Sequence, residues 1–238
     1  MLSVVPTARE RARAQTTEAI LAAARTQLAE VGAAALSLRA VAREVGLVSS
    51  AVYRYFPSRD ELLTALIIEA YDAVGEAAEA ARDAASGASA RECWVAVWRG
   101  VRAWARAHPA QYALIYGSPV PGYAAPPDTL PAAGRVGVVL GSIASAAHAD
   151  VDPGDDVVAA VAPDVAEVLH LDPRLAPAAV TAWTQLFGTV GFELFGQYEN
   201  VVTDRDTYFD HVAGAAASSV GIPADRPGNH DLPRRPAS

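Results

Sequence analysis

The stretch LSLRAVAREVGLVSSAVYRYFPSRDELL, residues 36–63, sets two short helical segments on either side of one glycine, and few folds accommodate that spacing. Leu38, Val41, Ala42 and Val45 fall at i, i+3, i+4, i+7, the repeat of a single helix face, with Ser37 in the N-cap position before them. Gly46 stops that helix and can take the positive φ that a tight turn between helices needs. A second helix is expected from Ser49 to Phe56, burying Val52 and Phe56 and turning Ser49, Ser50, Tyr53 and Arg54 outward. Pro57 and Ser58 end it, and Asp60 and Glu61 suit the dipole at the start of another helix. Two short helices on a glycine turn, the second with a hydroxyl-rich, basic outer face, make a helix-turn-helix, the unit that seats a helix in the major groove of duplex DNA.

The net charge of −8 runs against nucleic-acid binding until it is divided along the chain. Residues 1–59 carry eight arginines and four glutamates, whereas the remainder carries eleven arginines and twenty-three acids. Attraction to phosphate works through a local basic surface, because screening limits its reach to about 10 Å at moderate salt. A basic head on an acidic body is the charge layout of a DNA-binding module joined to a regulatory domain. The lone cysteine, Cys93, cannot form an intrachain disulfide, which fits a reducing cytoplasm. The amino-terminal segment lacks the apolar core of a secretion signal, and no charge-free apolar run of 18 residues occurs, so a cytoplasmic chain with no membrane association is expected.

With 52% hydrophobic residues, no strand alternation and no repeat, the chain reads as all-α. Residues 1–8 read as a leader, and 9–31 as a helix with Ile20, Ala24, Leu28 and Val31 inward and Gly32 as its stop. Arg9, Arg11 and Arg13 form either a solvated charge run or an arm reaching phosphate or the minor groove. From Arg59, the series Leu62, Leu63, Leu66, Ile67, Ala70, Tyr71, Val74 predicts a long helix joining head to body, broken at 84–89. Residues 90–107 predict a helix with Trp94, Val97, Trp98, Val101 and Ala105 inward and Arg91, Arg99, Arg102 and Arg106 on the other side. A short helix follows at 110–116. Residues 117–131, with five prolines and two glycines, read as an irregular, mobile flap. Helices are expected at 135–147, at 153–169 with a break at Pro163, at 176–198 and at 204–220, with a disordered tail over 222–238. The 176–198 segment is apolar nearly all round and must be covered on two sides; Gly188 and Gly191 would admit another helix closely.

The run from Gly46 to Arg59, followed by Leu62 and Leu63, resembles the TetR family of bacterial repressors, and the strong part of the likeness covers residues 10–72. Where that family caps its recognition helix with Ser or Thr this chain has Val48, so the expected cap moves to Ser49. The body is similar to the carboxy-terminal ligand and dimerisation domain of actinobacterial members that carry a Trp…His-Gly signature, here Trp183…Phe187-Gly188. The resemblance implies a helix-turn-helix head over 9–58 and a helical effector-binding and dimerisation domain over 59–221. It further implies a homodimeric repressor that binds a palindromic DNA operator and releases it on binding a small-molecule effector, with no cofactor.

In that reading Arg39 and Arg54 are the candidates for base readout, since the guanidinium fork matches guanine. Ser37, Ser49, Ser50 and Arg59 would grip the phosphate backbone, with Tyr53 and Tyr55 at positions that resemble the family's phosphate contacts. In the body, polar groups among aromatics suggest a pocket lined by Trp98, His108, Tyr112, Tyr116, Phe187 and Glu193, suited to an apolar or aromatic effector. Of the basic residues, only Arg135 is placed to turn inward. The acidic run His148–Asp156 lacks the glutamate an EF-hand needs at position 161, which is Val, so a solvated turn is expected. No motif recommends catalysis or a metal site. Two other classes stay open: an all-α small-molecule binder or enzyme with a vestigial head, and a DNA-bound architectural protein without an effector.

Overall fold

The structure, a computed structural model, describes residues 7–147 and 151–224. Most of the expected leader, the tail from residue 225, and His148 and Asp150 of the acidic run lie outside the described residues. Among the described residues the chain is helical throughout, with no strand. The head comprises α1 (Ala8–Val31), α2 (Leu38–Glu44) and α3 (Ser49–Val52), and α4 (Arg59–Ala84) leads out of it. The body adds α5 (Ala90–Ala107), α6 (Pro109–Tyr116), α7 (Leu130–Ala146), α8 (Asp155–Ala159), α9 (Pro163–Val168), α10 (Ala176–Leu194) and α11 (Arg205–Ser219).

Thr7 starts α1 by a reciprocal cap: its hydroxyl accepts from the Glu10 N–H at 3.2 Å, and the Glu10 carboxylate accepts from the Thr7 N–H at 2.7 Å. Ala8, assigned to the leader, is therefore helical, and Arg9, Arg11 and Arg13 stand on a helix rather than an arm. Val31, expected inward, is exposed. The last turn of α1 runs past the head core, and Gln27 is buried instead, accepting the Ser37 N–H at 3.3 Å.

The protein has two apolar cores, and α4 threads both. Leu62, Leu63 and Leu66 close the head core with Ile20, Val41 and Val52; one turn on, Ala70, Val74 and Ala78 enter the body core against Trp94, Trp98 and Val101. Ser58 caps α4 by accepting the Glu61 N–H at 3.1 Å. A boundary at residue 58 thus assigns all of α4 to the body, although its first two turns close the head core.

The segment expected as a flap is fastened. Val120 is buried in the head core, and the Tyr123 hydroxyl shares a 2.9 Å hydrogen bond with Thr64 on α4. Residues 117–126 form a strap across the seam between head and body. A 3-10 turn, Pro127–Thr129, follows, and α7 starts at Leu130, earlier than the pattern suggests because Pro131 is tolerated in a helix's first turn. Residues 127–146 are long and apolar enough by composition to cross a membrane, but here α7 packs as a core helix against α4, α5 and α10. At the other end, Gly221 at φ +81° lets the Ile222 N–H return to the Ala217 carbonyl at 2.9 Å, so Ile222, assigned to the tail, lies in the core.

Candidate nucleic-acid interface and internal cavity

The turn between α2 and α3 rests on Gly46, at φ +70°, and on the Leu47 N–H, which donates to the Ala42 carbonyl at 2.8 Å. The α3 helix is shorter than its sequence pattern. After Val52 the chain tightens, with the Arg54 N–H donating to Ala51 at 3.2 Å and the Tyr55 N–H to Val52 at 2.9 Å. Its N-cap is Val48, which offers no side-chain acceptor, rather than Ser49. Ser49 and Ser50 are consequently the first helical residues, fully on the surface.

Beside them stand Arg39, Tyr53 and Arg54, all exposed. Neither the Arg39 nor the Arg54 guanidinium forms a hydrogen bond or ion pair with the described residues, and both residues are open to solvent. Ser37 is half-buried, and its side chain makes no cap bond although it occupies the N-cap position of α2. Tyr55 is half-buried under Arg13, whose guanidinium carbon lies 5.1 Å from the ring centroid and whose Nη2 donates to the Arg54 carbonyl at 3.4 Å. Arg13 thus braces the end of the recognition segment from 41 residues away, a contact with no signature in local spacing.

Arg59 takes another role than the expected phosphate grip. Its Nε donates to the Leu36 carbonyl at 3.2 Å, and its Nη2 to Ala33 at 2.8 Å and Ala34 at 3.1 Å. These bonds hold the connection between α1 and α2 against the start of α4. Its Nη1 faces the exposed Asp60 carboxylate at 3.8 Å, so most of its donors are taken up within the head.

In the body, the six expected pocket residues do not line a common space. Trp98 is fully buried between Trp94 and Phe209. Tyr116 stacks on Phe187 at 3.8 Å and meets Tyr71 of α4 edge-on, while the Tyr112 hydroxyl donates to the Phe187 carbonyl. Burial pushes both phenols far above the ordinary tyrosine range, so both are protonated at neutral pH. His108 is exposed, stacked on Trp104, with Nδ1 2.9 Å from the Trp104 carbonyl.

Glu193 receives two hydrogen bonds from Arg102, at 2.6 and 2.9 Å, each side chain only 9% exposed. Arg102 was expected to face away from the apolar stripe with Arg91, Arg99 and Arg106. Instead α11 covers that side: Arg102 lies over the Phe209 ring at 4.8 Å, Arg99 pairs with Asp210, and Arg91 donates to the Gly214 carbonyl at 2.7 Å.

A cavity of about 390 Å³ opens elsewhere, between α7, α9 and α10, with Trp94 and Val220 at its inner end. Its walls include Leu140, Leu169, Leu171 and Trp183, and none of the six residues expected from the sequence. The aromatics of α5, α6 and α10 pack on one another and leave no room, whereas α7 presents bare backbone at Gly134, Gly137 and Gly141. A methyl group at Gly141 would fall 2.5 Å from the Leu169 carbonyl oxygen, so α9 and its following turn approach where side chains are missing. That glycine repeat, on the face of α7 next to Leu140 and Ala144, is the signal sequence reading passed over. Arg135, expected to turn inward, points from α7 to α4, where it pairs with Asp72 at 2.8 Å and Glu79 at 2.9 Å. Of the acidic run, Asp152 and Asp155 both pair with Arg174, at 2.6 and 3.0 Å.

Comparison with known proteins matches both halves. Residues 20–66 match the family described as bacterial regulatory proteins, tetR family, and residues 94–216 the one described as tetracyclin repressor-like, C-terminal domain. HTH-type transcriptional regulators of Mycobacterium bovis (Mb1846) and Mycobacterium tuberculosis (Rv1816) are each 42% identical over 212 residues, covering 85% of this chain and 91% of theirs. The crystal structure of the regulatory protein SCO4313 superposes with a TM-score of 0.71 at 34% identity, covering 89% of this chain and all of that one.

Proposed function

This chain belongs to the TetR family of DNA-binding transcriptional regulators, and we propose that it acts in the cytoplasm as a homodimeric repressor released from its operator by an apolar or aromatic effector. The observation that carries the DNA-contacting part is the outer face of the helix-turn-helix. There Arg39 and Arg54, with no protein partner among the described residues, flank Ser49, Ser50 and Tyr53 on one exposed surface. Free guanidinium forks read guanine edges, hydroxyls hold phosphate, and the Arg13 brace keeps the Tyr53–Tyr55 turn in register.

The effector enters the cavity between α7, α9 and α10 rather than the Tyr112–Tyr116 cluster. That cluster serves as a relay: Trp183 lines the cavity and meets Phe187 and Tyr116, and Tyr116 meets Tyr71 on α4. Displacement of Trp183 by an effector would be passed to the helix that carries the head. It releases DNA only where the effector prefers the non-binding arrangement. The second copy docks on the α10–α11 surface, where Phe192, Phe195, Val201 and Tyr208 are exposed and Gly188 has nothing within 4 Å of its Cβ position.

Selection from a random duplex library followed by mobility-shift titration tests this reading. The expected result is one palindromic site, bound with an affinity that falls steeply with salt. Binding of all duplexes alike at low salt, or none, overturns it.

A further inference from the structure

The cavity between α7, α9 and α10 has an uneven polar inventory. Of the 18 residues that line it, the only ionisable one is Asp164, in the first turn of α9. No Arg, Lys, His, Ser, Thr, Asn or Gln side chain borders it. The Trp94 indole N–H is already engaged, donating to the Ala213 carbonyl at 3.1 Å. The Leu169 carbonyl oxygen, which abuts Gly141, adds a main-chain acceptor at the same wall. The nearest basic residue on α7, Arg135, is held on that helix's opposite side by Asp72 and Glu79.

An anion brought into such a space would lose water, find no basic side chain and be repelled by a carboxylate. A neutral ring system would meet an almost wholly apolar wall that includes Trp94 and Trp183. A flat molecule bearing an ammonium group would keep the same apolar contact and add attraction to Asp164.

We propose that this cavity selects flat apolar molecules carrying a positive charge over neutral and, above all, anionic molecules of the same shape, with Asp164 as the charge-selecting residue. The proposal rests on the cavity being the effector site. The Asp164 carboxylate stands at the exposed rim, so a ligand's charged end stays near water while its ring system lies within. The preference of cation over neutral analogue is accordingly modest, about three- to tenfold, because water screens a pair at the surface.

Calorimetric titration of the full-length protein with 2-naphthylmethylamine, 2-naphthylmethanol and 2-naphthoate at neutral pH separates the cases. The order expected is ammonium, then alcohol, then carboxylate. Asp164→Asn should remove the gap between ammonium and alcohol, chiefly by weakening the ammonium; Asp164 is exposed, so the variant folds. Naphthoate binding as tightly as the amine, or an Asn variant that keeps the cation preference, overturns the proposal. A wall-filling variant, Ala179→Phe or Val180→Trp, tests the underlying site. If neither weakens alcohol binding, the cavity is not where these molecules go. If both do and the charge order is absent, only the role of Asp164 is wrong.

Discussion

The side chain of Arg135 lies across the bare backbone of Gly75, so that a methyl group there would fall 2.8 Å from both its Cβ and its Nε. From that position Arg135 reaches Asp72 on one side and Glu79 on the other, all three partners on α4. The opposite face of α7 lines the cavity, and α4 continues into the head core. Arg135 therefore ties α7 to α4, and in the proposed mechanism it would add a second link beside the Trp183–Tyr116–Tyr71 relay.

Gly75→Ala should lower stability by about 1–3 kcal/mol, the usual cost of overpacking, although alanine favours a helix by about 1 kcal/mol over glycine. Arg135→Met should cost less, because Asp72 and Glu79 are partly solvated. Urea unfolding of both variants gives the comparison. An unchanged midpoint for Gly75→Ala would show that Arg135 gives way freely and exerts no hold on α4.

The Arg102–Glu193 pair joins α5 to α10 where both side chains are almost out of water. Removing one partner leaves a buried charge, so Glu193→Leu should cost about 3–5 kcal/mol, and the double change Arg102→Met with Glu193→Leu much less. The Asp206 contact at 2.7 Å moderates the single loss of Glu193, because Arg102 keeps one partner. Thermal unfolding of the two single variants and the double tests this. A double variant as unstable as the sum of the singles would mean that the pair is not the dominant interaction of either residue.

Arg54 and Arg59 should separate cleanly. Arg54→Ala is expected to cost about 1–3 kcal/mol per half-site on the selected operator and to relax preference at one base position, with the unfolding midpoint unmoved. Arg59→Ala should lower the unfolding midpoint, since it removes three bonds to the carbonyls of residues 33, 34 and 36. Competition binding with operator and scrambled duplex, alongside melting curves, distinguishes them. Equal loss on both duplexes for Arg54→Ala would reduce that residue to a phosphate contact.

The exposed aromatic surface of α10 and the segment after it predicts assembly. Light scattering at micromolar concentration should give twice 24.8 kDa, and Phe192→Asp with Phe195→Asp should halve the mass while retaining helical content. A wild-type monomer would remove the dimer from the proposal and with it the reason for a palindromic site.

The head was legible in its sequence because its determinants are local. Ser37, Gly46 and Ser58 mark helix ends at fixed offsets, and Leu38, Val41, Ala42, Val52 and Phe56 repeat at helical spacing, so caps and periodicity place the elements without reference to the rest of the chain. The cap of α3 was misplaced by one residue because a main-chain turn held the helix start at Val48 without a side-chain acceptor. Periodicity likewise exposed the apolar stripe of α5, and the basic head on an acidic body pointed to DNA.

What sequence could not yield depends on pairings between residues far apart in the chain. Arg102 and Glu193 are separated by 91 positions, Arg135 and Glu79 by 56, Tyr123 and Thr64 by 59, and no local pattern tells a buried arginine from a solvated one. The cavity escaped for the same reason. Aromatic richness suggests a pocket, but aromatic side chains fill space when they meet, and the cavity lies instead beside α7, where Gly137 and Gly141 let Leu169 approach the helix backbone. The amino-acid sequence by itself determined most of the helices and the helix-turn-helix, which follow from caps and periodicity within a few residues. Only the tertiary structure decided which charges are clasped, where the strap is fastened and where the empty volume lies, because each depends on which helix faces come to rest against one another.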